Sequence, residues 1–233
     1  MTRRSVARSV RNFSYLFTAV LFVYGGNVLH AREIDYYNGE EINELCAGCH
    51  GEYAQGGKEG EYPRLAGMPA AFIDKQMHLF RDRKRPNMPM LEYVDERQFP
   101  DDEIADISAY LSQLKLATKM SPLKEGPEFN AYERLEEAKR VINIARYPGD
   151  VEKGRKIYNK ECRSCHGTDG VGNTEKAVPM LAGQYTNYLQ RQVKKYLKGI
   201  RIHDEDDPED ELLAEFSHEE LEAIFAFLSV ADD

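Results

Sequence analysis

The four cysteines of this 233-residue chain lie in two motifs of the form Cys-x-x-Cys-His. The six residues of the two motifs are Cys46, Cys49, His50, Cys162, Cys165 and His166. Two thiols at this spacing can each form a thioether with a vinyl group of haem, and the adjacent imidazole can then bind the iron. Two such motifs therefore predict two covalently attached c-type haems, each with one histidine as an axial ligand.

Other chemistry is compatible with a Cys-x-x-Cys pair, namely a redox-active dithiol, a structural disulfide or half of a zinc site. Thioredoxin-type dithiols lie near a βαβ pattern, and no alternating strand pattern surrounds either pair. A four-cysteine zinc site would join pairs 116 residues apart and would leave His50 and His166 without a role. The repeated histidine therefore favours haem attachment.

Residues 1–31 differ in composition from the rest of the chain. Four arginines precede an apolar run from Phe13 to Val23, and Leu29 and Ala31 occupy the −3 and −1 positions of a cleavage site. This order is typical of a secretory signal peptide. An uncleaved membrane anchor is the weaker alternative, because the apolar run is shorter than the ~20 residues that span a bilayer. We therefore expect export, and no transmembrane span after cleavage.

Removal of the four arginines in residues 1–31 would change the formal charge from −9 to −13. A strongly acidic protein is not expected to bind nucleic acid or an anionic membrane surface. The charge would suit docking on a basic patch of a redox partner, whereas acidic surfaces can also serve solubility alone. Both interpretations stay open on the sequence.

An internal repeat divides the chain into two halves. Adding 116 to a position maps the first haem motif, a Pro-x-Leu-Ala-Gly segment and a Gln-to-Arg run onto their counterparts. The segments begin at Pro63 and Pro179, and the runs extend from Gln76 to Arg85 and from Gln192 to Arg201. Beyond them the offset becomes 117 and aligns apolar positions of the last helix in each half. The repeat predicts two similar domains of about 100 residues.

The spacing of apolar residues, together with residues that start or stop helices, predicts the same helices in each half. A short helix leads into each haem motif, and helices follow at 70–83 and 187–198. The last helices start near Pro100 and Ser217, each with an acidic first turn. Between the halves, 129–145 has the apolar spacing of an amphipathic helix that would pack across both domains.

These features predict an all-α chain. Its parts are a signal peptide at 1–31, a first domain at 32–118, a long, partly helical linker at 119–149 and a second domain at 150–233.

The tandem motifs, the Pro-x-Leu-Ala-Gly segments and the Gln-to-Arg helices resemble the dihaem cytochrome c4 type, in which two class I cytochrome c domains form one chain. The resemblance covers nearly all of residues 36–231 apart from the extended linker. It implies two covalently bound haem c groups and a location in the periplasm of a Gram-negative bacterium. It also implies that Pro63 and Pro179 support the axial histidines through their carbonyls.

In this family the sixth iron ligand is normally a methionine in the loop after the Gln-to-Arg helix. Met90, five residues beyond Arg85, has the usual placement in the first domain, with Met88 as its competitor. The corresponding loop of the second domain contains no methionine, and Asp206 occupies the place of Met90. Methionine should therefore bind only the first iron.

Two interpretations of the second site stay open. Either His203 is the sixth ligand, or the iron has an open or water-bound position. His218 is a weaker candidate because it lies near a helix start, and Met180 lies on the turn of the proximal side. Methionine opposite histidine raises the potential relative to two histidines. Carboxylates at 204–207 should also stabilise the ferric form. The first haem is thus expected to have the higher potential.

Electron transfer is the expected function, with single electrons passing between periplasmic redox proteins such as a dehydrogenase and a terminal oxidase. One alternative is a haem enzyme whose open second haem binds peroxide, nitric oxide or a sulfur species. Another is the cytochrome subunit of a periplasmic dehydrogenase, such as a sulfide-oxidising flavocytochrome. No cysteine remains as an unusual sulfur ligand and no peroxidase-like acid–base pair is recognisable, which favours the carrier.

Overall fold

The computed structural model describes residues 32–95, 98–123, 126–204 and 211–231. Within these ranges the secondary structure consists of α-helices, short 3-10 helices and isolated β-bridges, so the predicted all-α fold is confirmed. The predicted signal peptide lies outside the described residues. No helix of the described ranges is long and apolar enough to cross a bilayer.

The helices follow the predicted repeat. The first domain contains α1 (Tyr36–His50), α2 (Ala70–Arg81), α3 (Met88–Val94) and α4 (Asp101–Gln113). The linker contains α5 (Ala131–Lys139). The second domain contains α6 (Val151–Glu161), α7 (Arg163–His166), α8 (Thr186–Leu197) and α9 (His218–Leu228). The predicted starts of α4 and α9 are confirmed. Pro100 precedes α4, and Ser217 and Glu220 form a capping box at α9.

The last helix of each domain contributes several side chains to its core. In α4, Ile104, Ile107 and Leu111 are completely buried. The positions 117 residues later in α9 are also buried, and they are Leu221, Ile224 and Leu228. Burial of this apolar area is the main favourable contribution to folding.

Glycine permits α1 and α6, which lead into the two haem motifs, to cross the last helix of their domains closely. A Cβ atom on Gly39 of α1 would lie 2.6 Å from the Asp106 carbonyl oxygen in α4. A Cβ atom on Gly154 of α6 would lie 1.9 Å from the Ala223 carbonyl oxygen in α9. Both distances are far inside van der Waals contact. Glycine at these crossings therefore fixes where each haem motif sits against its core.

Gly154→Ala is expected to lower the free energy of unfolding by about 1–3 kcal/mol or more, because the added methyl must push two helix backbones apart. Urea unfolding of the intact protein measures the change. The control is Gly48→Ala in α1, where no atom outside the local helix lies within 4 Å of the added Cβ. Alanine there should be neutral or stabilise by up to about 1 kcal/mol. Equal effects of both changes would contradict the crossing argument.

The linker helix is shorter and more exposed than its apolar pattern predicts. Helix α5 has no buried residue, and Leu135 is 56% exposed. The apolar residues Ile142 and Ile144 are buried, but in extended chain after the helix. There the Ile142 N–H donates to the Ala117 carbonyl at 2.9 Å. The expectation of a helix through Ala145 was wrong, because pairing with the end of the first domain replaces the last helical turns.

The linker nevertheless contacts both domains. The Tyr53 hydroxyl of the first domain donates to the Glu136 carboxylate at 2.9 Å, and the Arg140 guanidinium lies 4.5 Å from the centre of the Tyr53 ring. On the other side, the Tyr147 N–H donates to the Ser229 hydroxyl of the second domain at 2.9 Å. Polar contacts, rather than the predicted apolar stripe, hold α5 on the first domain.

Candidate haem sites

Two histidines with the same backbone support end the haem-motif helices. His50 Nδ1 lies 2.9 Å from the Pro63 carbonyl oxygen, and His166 Nδ1 lies 3.0 Å from that of Pro179. Because a carbonyl only accepts, each Nδ1 must carry the hydrogen, which leaves Nε2 with a free lone pair. This tautomer is the one that can bind iron. The proline carbonyls thus have the supporting role that the resemblance implies.

Burial favours neutral imidazoles at both positions. It lowers the pKa of His50 below its ordinary value, against the opposing effect of the hydrogen bond to Pro63. Burial also lowers the pKa of His166 to about 4, with a smaller contribution from the nearby His203. Both rings therefore present an unprotonated nitrogen at neutral pH.

The cysteines of each motif occupy two different environments. Cys46 and Cys162 are half-buried, and burial raises the pKa of each thiol to about 11. Cys49 and Cys165 are exposed, and all four line the same cavity. Within the described ranges, no three His, Cys, Asp or Glu side chains cluster as a metal site. The zinc alternative therefore lacks a donor cluster in this part of the chain.

The cavity has a volume of about 820 Å³ and is lined by both domains, which belong to one compact unit. Its walls are largely apolar and include Phe80 and Ile73 from the first core and Leu189 and Ile224 from the second. An apolar wall that excludes water is what a haem macrocycle requires. Both haem motifs open into this space.

On the distal side of the first site, the structure separates the two candidate methionines. Met90 is half-buried, lines the cavity and packs against the first core. Met88 is 67% exposed. The sequence predicts a loop here, but the segment forms α3, and residues two apart on a helix point about 200° apart. Only one of the two can therefore face the haem, and the geometry favours Met90.

On the distal side of the second site, His203 faces His166. Their ring centres are 6.2 Å apart, with an angle of 32° between the ring planes. A metal–imidazole bond is about 2.0 Å, so two imidazoles on one iron have ring centres about 6 Å apart once the ring radii are added. Tyr196 packs edge-on against His203 at 5.2 Å. The observed spacing matches a pair of axial ligands.

The other sequence candidates differ from His203 in exposure and packing, although Met180 lines the same cavity. His218 has an 87% exposed side chain and lies 3.2 Å from the Glu222 carboxylate. Met180 packs against the core of the first domain, at the junction between the domains. Asp206, which takes the place of Met90 in the repeat, lies outside the described residues. His203 is thus the distal candidate that the described structure supports.

A cluster of buried polar side chains lies between the two domains. The repeat aligns these residues, but the sequence predicted no role for them. The Arg85 guanidinium donates to Gln76 at 2.7 Å and to Gln192 at 3.3 Å. The Arg201 guanidinium donates to Gln192 at 2.8 Å and to Gln76 at 3.0 Å. Each arginine therefore bonds to its own domain and to the other. The signal was present in the sequence as a glutamine followed nine residues later by an arginine, in both halves of the repeat.

The cluster gives the cavity a positive wall. Burial lowers the pKa of Arg85 below its usual value, but a guanidinium stays charged. Burial would raise the pKa of Tyr188, yet the nearby guanidiniums of Arg85 and Arg201 lower it. Within the described part of the chain, neither arginine has a carboxylate partner among its hydrogen bonds. Haem carries two carboxylates, so this wall fits the cofactor.

Comparison with known proteins agrees with the geometry. A cytochrome c family model matches residues 37–115 and 151–231. The chain is 26% identical to cytochrome c4 of Pseudomonas aeruginosa, over 91% of this chain and 96% of that protein. It is 30% identical to a thiosulfate dehydrogenase electron acceptor of Stutzerimonas stutzeri, over 79% of this chain and 77% of that protein. The crystal structure of reduced cytochrome c4 from Pseudomonas stutzeri has the same fold, with a TM-score of 0.61 at 22% identity, covering 84% of this chain and 98% of that one.

Proposed function

Because the chain belongs to the cytochrome c family and, like cytochrome c4, binds two haem c groups covalently, we propose that it carries single electrons between periplasmic redox proteins. Haem iron, when bound, gains or loses one electron as it changes between the ferric and ferrous states. The observation that supports the proposal most is the 6.2 Å pairing of His203 with His166. An iron with two protein ligands has no position left for a substrate.

In this proposal each residue has a defined role. The thiols of Cys46, Cys49, Cys162 and Cys165 would attach the two haems, and His50, Met90, His166 and His203 would bind the irons. The Pro63 and Pro179 carbonyls hold the Nδ1 hydrogen and orient each proximal ring. Orientation by such a hydrogen bond fixes the tautomer and increases the basicity of the ligating nitrogen.

The cores contribute by excluding water, and the interdomain arginines by their charge. A buried positive charge next to a haem carboxylate offsets the cost of placing that carboxylate in the interior. The same two guanidiniums bond across the junction, so they also hold the two domains in one arrangement. A fixed arrangement suits electron exchange between two centres.

For the electron donor we propose a dehydrogenase that oxidises an inorganic sulfur compound. A relative described as a thiosulfate dehydrogenase electron acceptor aligns with 79% of this chain. The acidic composition adds support, because a carrier whose net charge is −9, or −13 once residues 1–31 are removed, is attracted to a basic docking surface. The alternatives are a subunit bound permanently to such a dehydrogenase and a haem enzyme with its own activity.

Turnover assays distinguish carrier from enzyme. The purified protein alone is expected to leave thiosulfate and peroxide unchanged, because both irons are saturated. Mixed with a thiosulfate dehydrogenase and thiosulfate, it should be reduced at both haems, with two electrons taken up per chain. Heat-denatured dehydrogenase is the control. Catalytic consumption of either substrate by the protein alone would overturn the carrier proposal, and co-purification of a dehydrogenase at fixed stoichiometry would make it a subunit.

A further inference from the structure

The peptide unit that supports His50 is hydrogen-bonded at both of its ends. The Pro63 carbonyl, which faces His50 Nδ1 at 2.9 Å, belongs to the peptide between Pro63 and Arg64. The N–H of that same peptide is the Arg64 N–H, and it donates to the Gln184 side-chain oxygen at 3.1 Å. Gln184 lies 120 residues further along the chain, in the second domain. One peptide unit therefore joins the proximal ring of the first site to a side chain of the second domain.

The Gln184 amide is held in one orientation by its neighbours. Its Oε1 also accepts from the Tyr185 N–H at 3.1 Å, and its Nε2 donates to the Arg64 carbonyl at 2.9 Å. A flipped amide would place its NH2 group against two N–H groups and its oxygen against a carbonyl. The Gln184 side chain is buried, with 3% of its residue surface exposed, so water has little access to these bonds.

The contact around this peptide is closely packed. Arg64 is buried, and its guanidinium donates to the Ala66 carbonyl at 2.9 Å and to the Gly183 carbonyl of the second domain at 3.4 Å. A Cβ atom on Gly56 would lie 2.7 Å from the Arg64 nitrogen and 2.7 Å from the Tyr185 ring. The backbone is thus enclosed on several sides. The peptide keeps its partner in the second domain as long as the two domains stay together.

The internal repeat makes this arrangement one-sided. At the offset of 116, Gln184 corresponds to Met68, and Arg64 corresponds to Met180. Met68 is buried in the first core, and its thioether has no amide group with which to bind a peptide at both ends. The Met68 side chain therefore cannot return to the second domain the bonds that Gln184 gives to the first.

We infer that Gln184 acts on the first haem through the Pro63–Arg64 peptide, by strengthening the hydrogen bond of His50 Nδ1 and so lowering the potential of that haem. An acceptor on the N–H of a peptide makes its carbonyl oxygen more negative, because hydrogen bonds in a chain polarise one another. A stronger acceptor at Nδ1 makes the other ring nitrogen a better donor to iron. A better donor stabilises the ferric state. The inference rests on the proposed role of His50 as an axial ligand.

The effect opposes that of the distal methionine. Met90 is expected to raise the potential of the first haem above that of the second, and Gln184 lowers it again. The difference between the two haems is thereby narrowed, which favours exchange of electrons in both directions within one chain. Since the bond crosses the domain junction, the potential of the first haem depends on the junction being closed.

Gln184→Met tests the inference in the full two-haem protein. Methionine has a similar volume, and the first domain carries it at the equivalent position. At a fixed applied potential, the ferrous-to-ferric ratio of the first haem should rise about twofold, which is about 18 mV at 59 mV per tenfold. The second haem should be unchanged. In NMR spectra of the fully reduced protein, the His50 Nδ1–H proton should move upfield, because its hydrogen bond is weaker, while that of His166 stays in place.

Asn187→Ala is the control for loosening of the junction. The Asn187 amide also crosses between the domains, donating to the Glu59 carbonyl at 3.2 Å, but it does not bond to the Pro63–Arg64 peptide. This variant should leave both potentials and both proximal-ring protons unchanged. An equal shift of the first potential in the control would assign the effect to the junction as a whole and overturn the inference. An unchanged first haem in Gln184→Met would refute it too, with the carrier function intact.

A second variant covers the case in which Gln184→Met fails to bind both haems, as measured by haem absorbance per chain. Gln184→Asn keeps a polar amide at the position, but its side chain is one methylene shorter and falls short of the Arg64 N–H. It should raise the potential of the first haem in the same direction. An unchanged potential in this variant, with both haems bound, would contradict the inference. If neither haem of the unmodified protein exchanges electrons with redox mediators, the proposed carrier function itself fails.

Discussion

Met90→Ala is expected to abolish the weak Met-to-iron absorption band of the ferric protein. It should also lower the potential of the first haem by on the order of 0.1 V or more, since axial ligands set haem potentials over a range of about 0.8 V. The physical reason is that a thioether stabilises ferrous iron, and the water or empty position that replaces it does not. Absorption spectra and a redox titration resolved into two one-electron steps measure both effects.

Met88→Ala is the matched control, because it removes the same side chain two residues away. Met88 is 67% exposed, whereas Met90 is half-buried in the cavity wall. The control should keep the absorption band and both potentials. Loss of the band in Met88→Ala and its retention in Met90→Ala would mean that α3 presents the opposite face to the haem.

Features encoded in neighbouring residues were predictable from the sequence. Cys46, Cys49 and His50 are linked by a single helix, so their spacing alone specifies thioether attachment and an axial histidine. The capping residues before α9 and the apolar positions 117 residues apart likewise fix local structure. Such local features are predictable because few distant contacts change them.

Features that depend on distant contacts were not predictable in the same way. The helix expected over 129–145 ends after Lys139 because Ile142 pairs with Ala117, a partner 25 residues away. The cluster of Arg85 and Arg201 exists only because two domains meet face to face. Periodicity within one segment carries no information about such partners.

The choice between Met90 and Met88 lies between these cases. Sequence alone places both candidates in the same loop, and the family resemblance favours Met90. The formation of α3 adds a physical reason, because a helix cannot turn both side chains to one side. For the second haem, the sequence left His203 and an open iron as alternatives. There the ring spacing of 6.2 Å supplies information that no pattern contained.

His203→Ala is expected to open the second iron to added ligands. In the unmodified protein, carbon monoxide should bind neither reduced haem rapidly, since His203 faces His166 at 6.2 Å and Met90 lies in the cavity wall of the first site. In the variant, carbon monoxide should bind one haem per chain at once. The ferric second haem should become partly high-spin in its EPR spectrum, because alanine supplies no donor atom.

The control for this variant is His218→Ala, which removes a histidine with an 87% exposed side chain. It should leave carbon monoxide binding and the EPR spectrum unchanged, so that any effect of His203→Ala belongs to the distal position and not to loss of a histidine as such. Rapid binding at the second haem of the unmodified protein would refute ligation by His203. Since an open iron accepts exogenous molecules, that result would replace the carrier with a haem enzyme whose reactive centre is the second site.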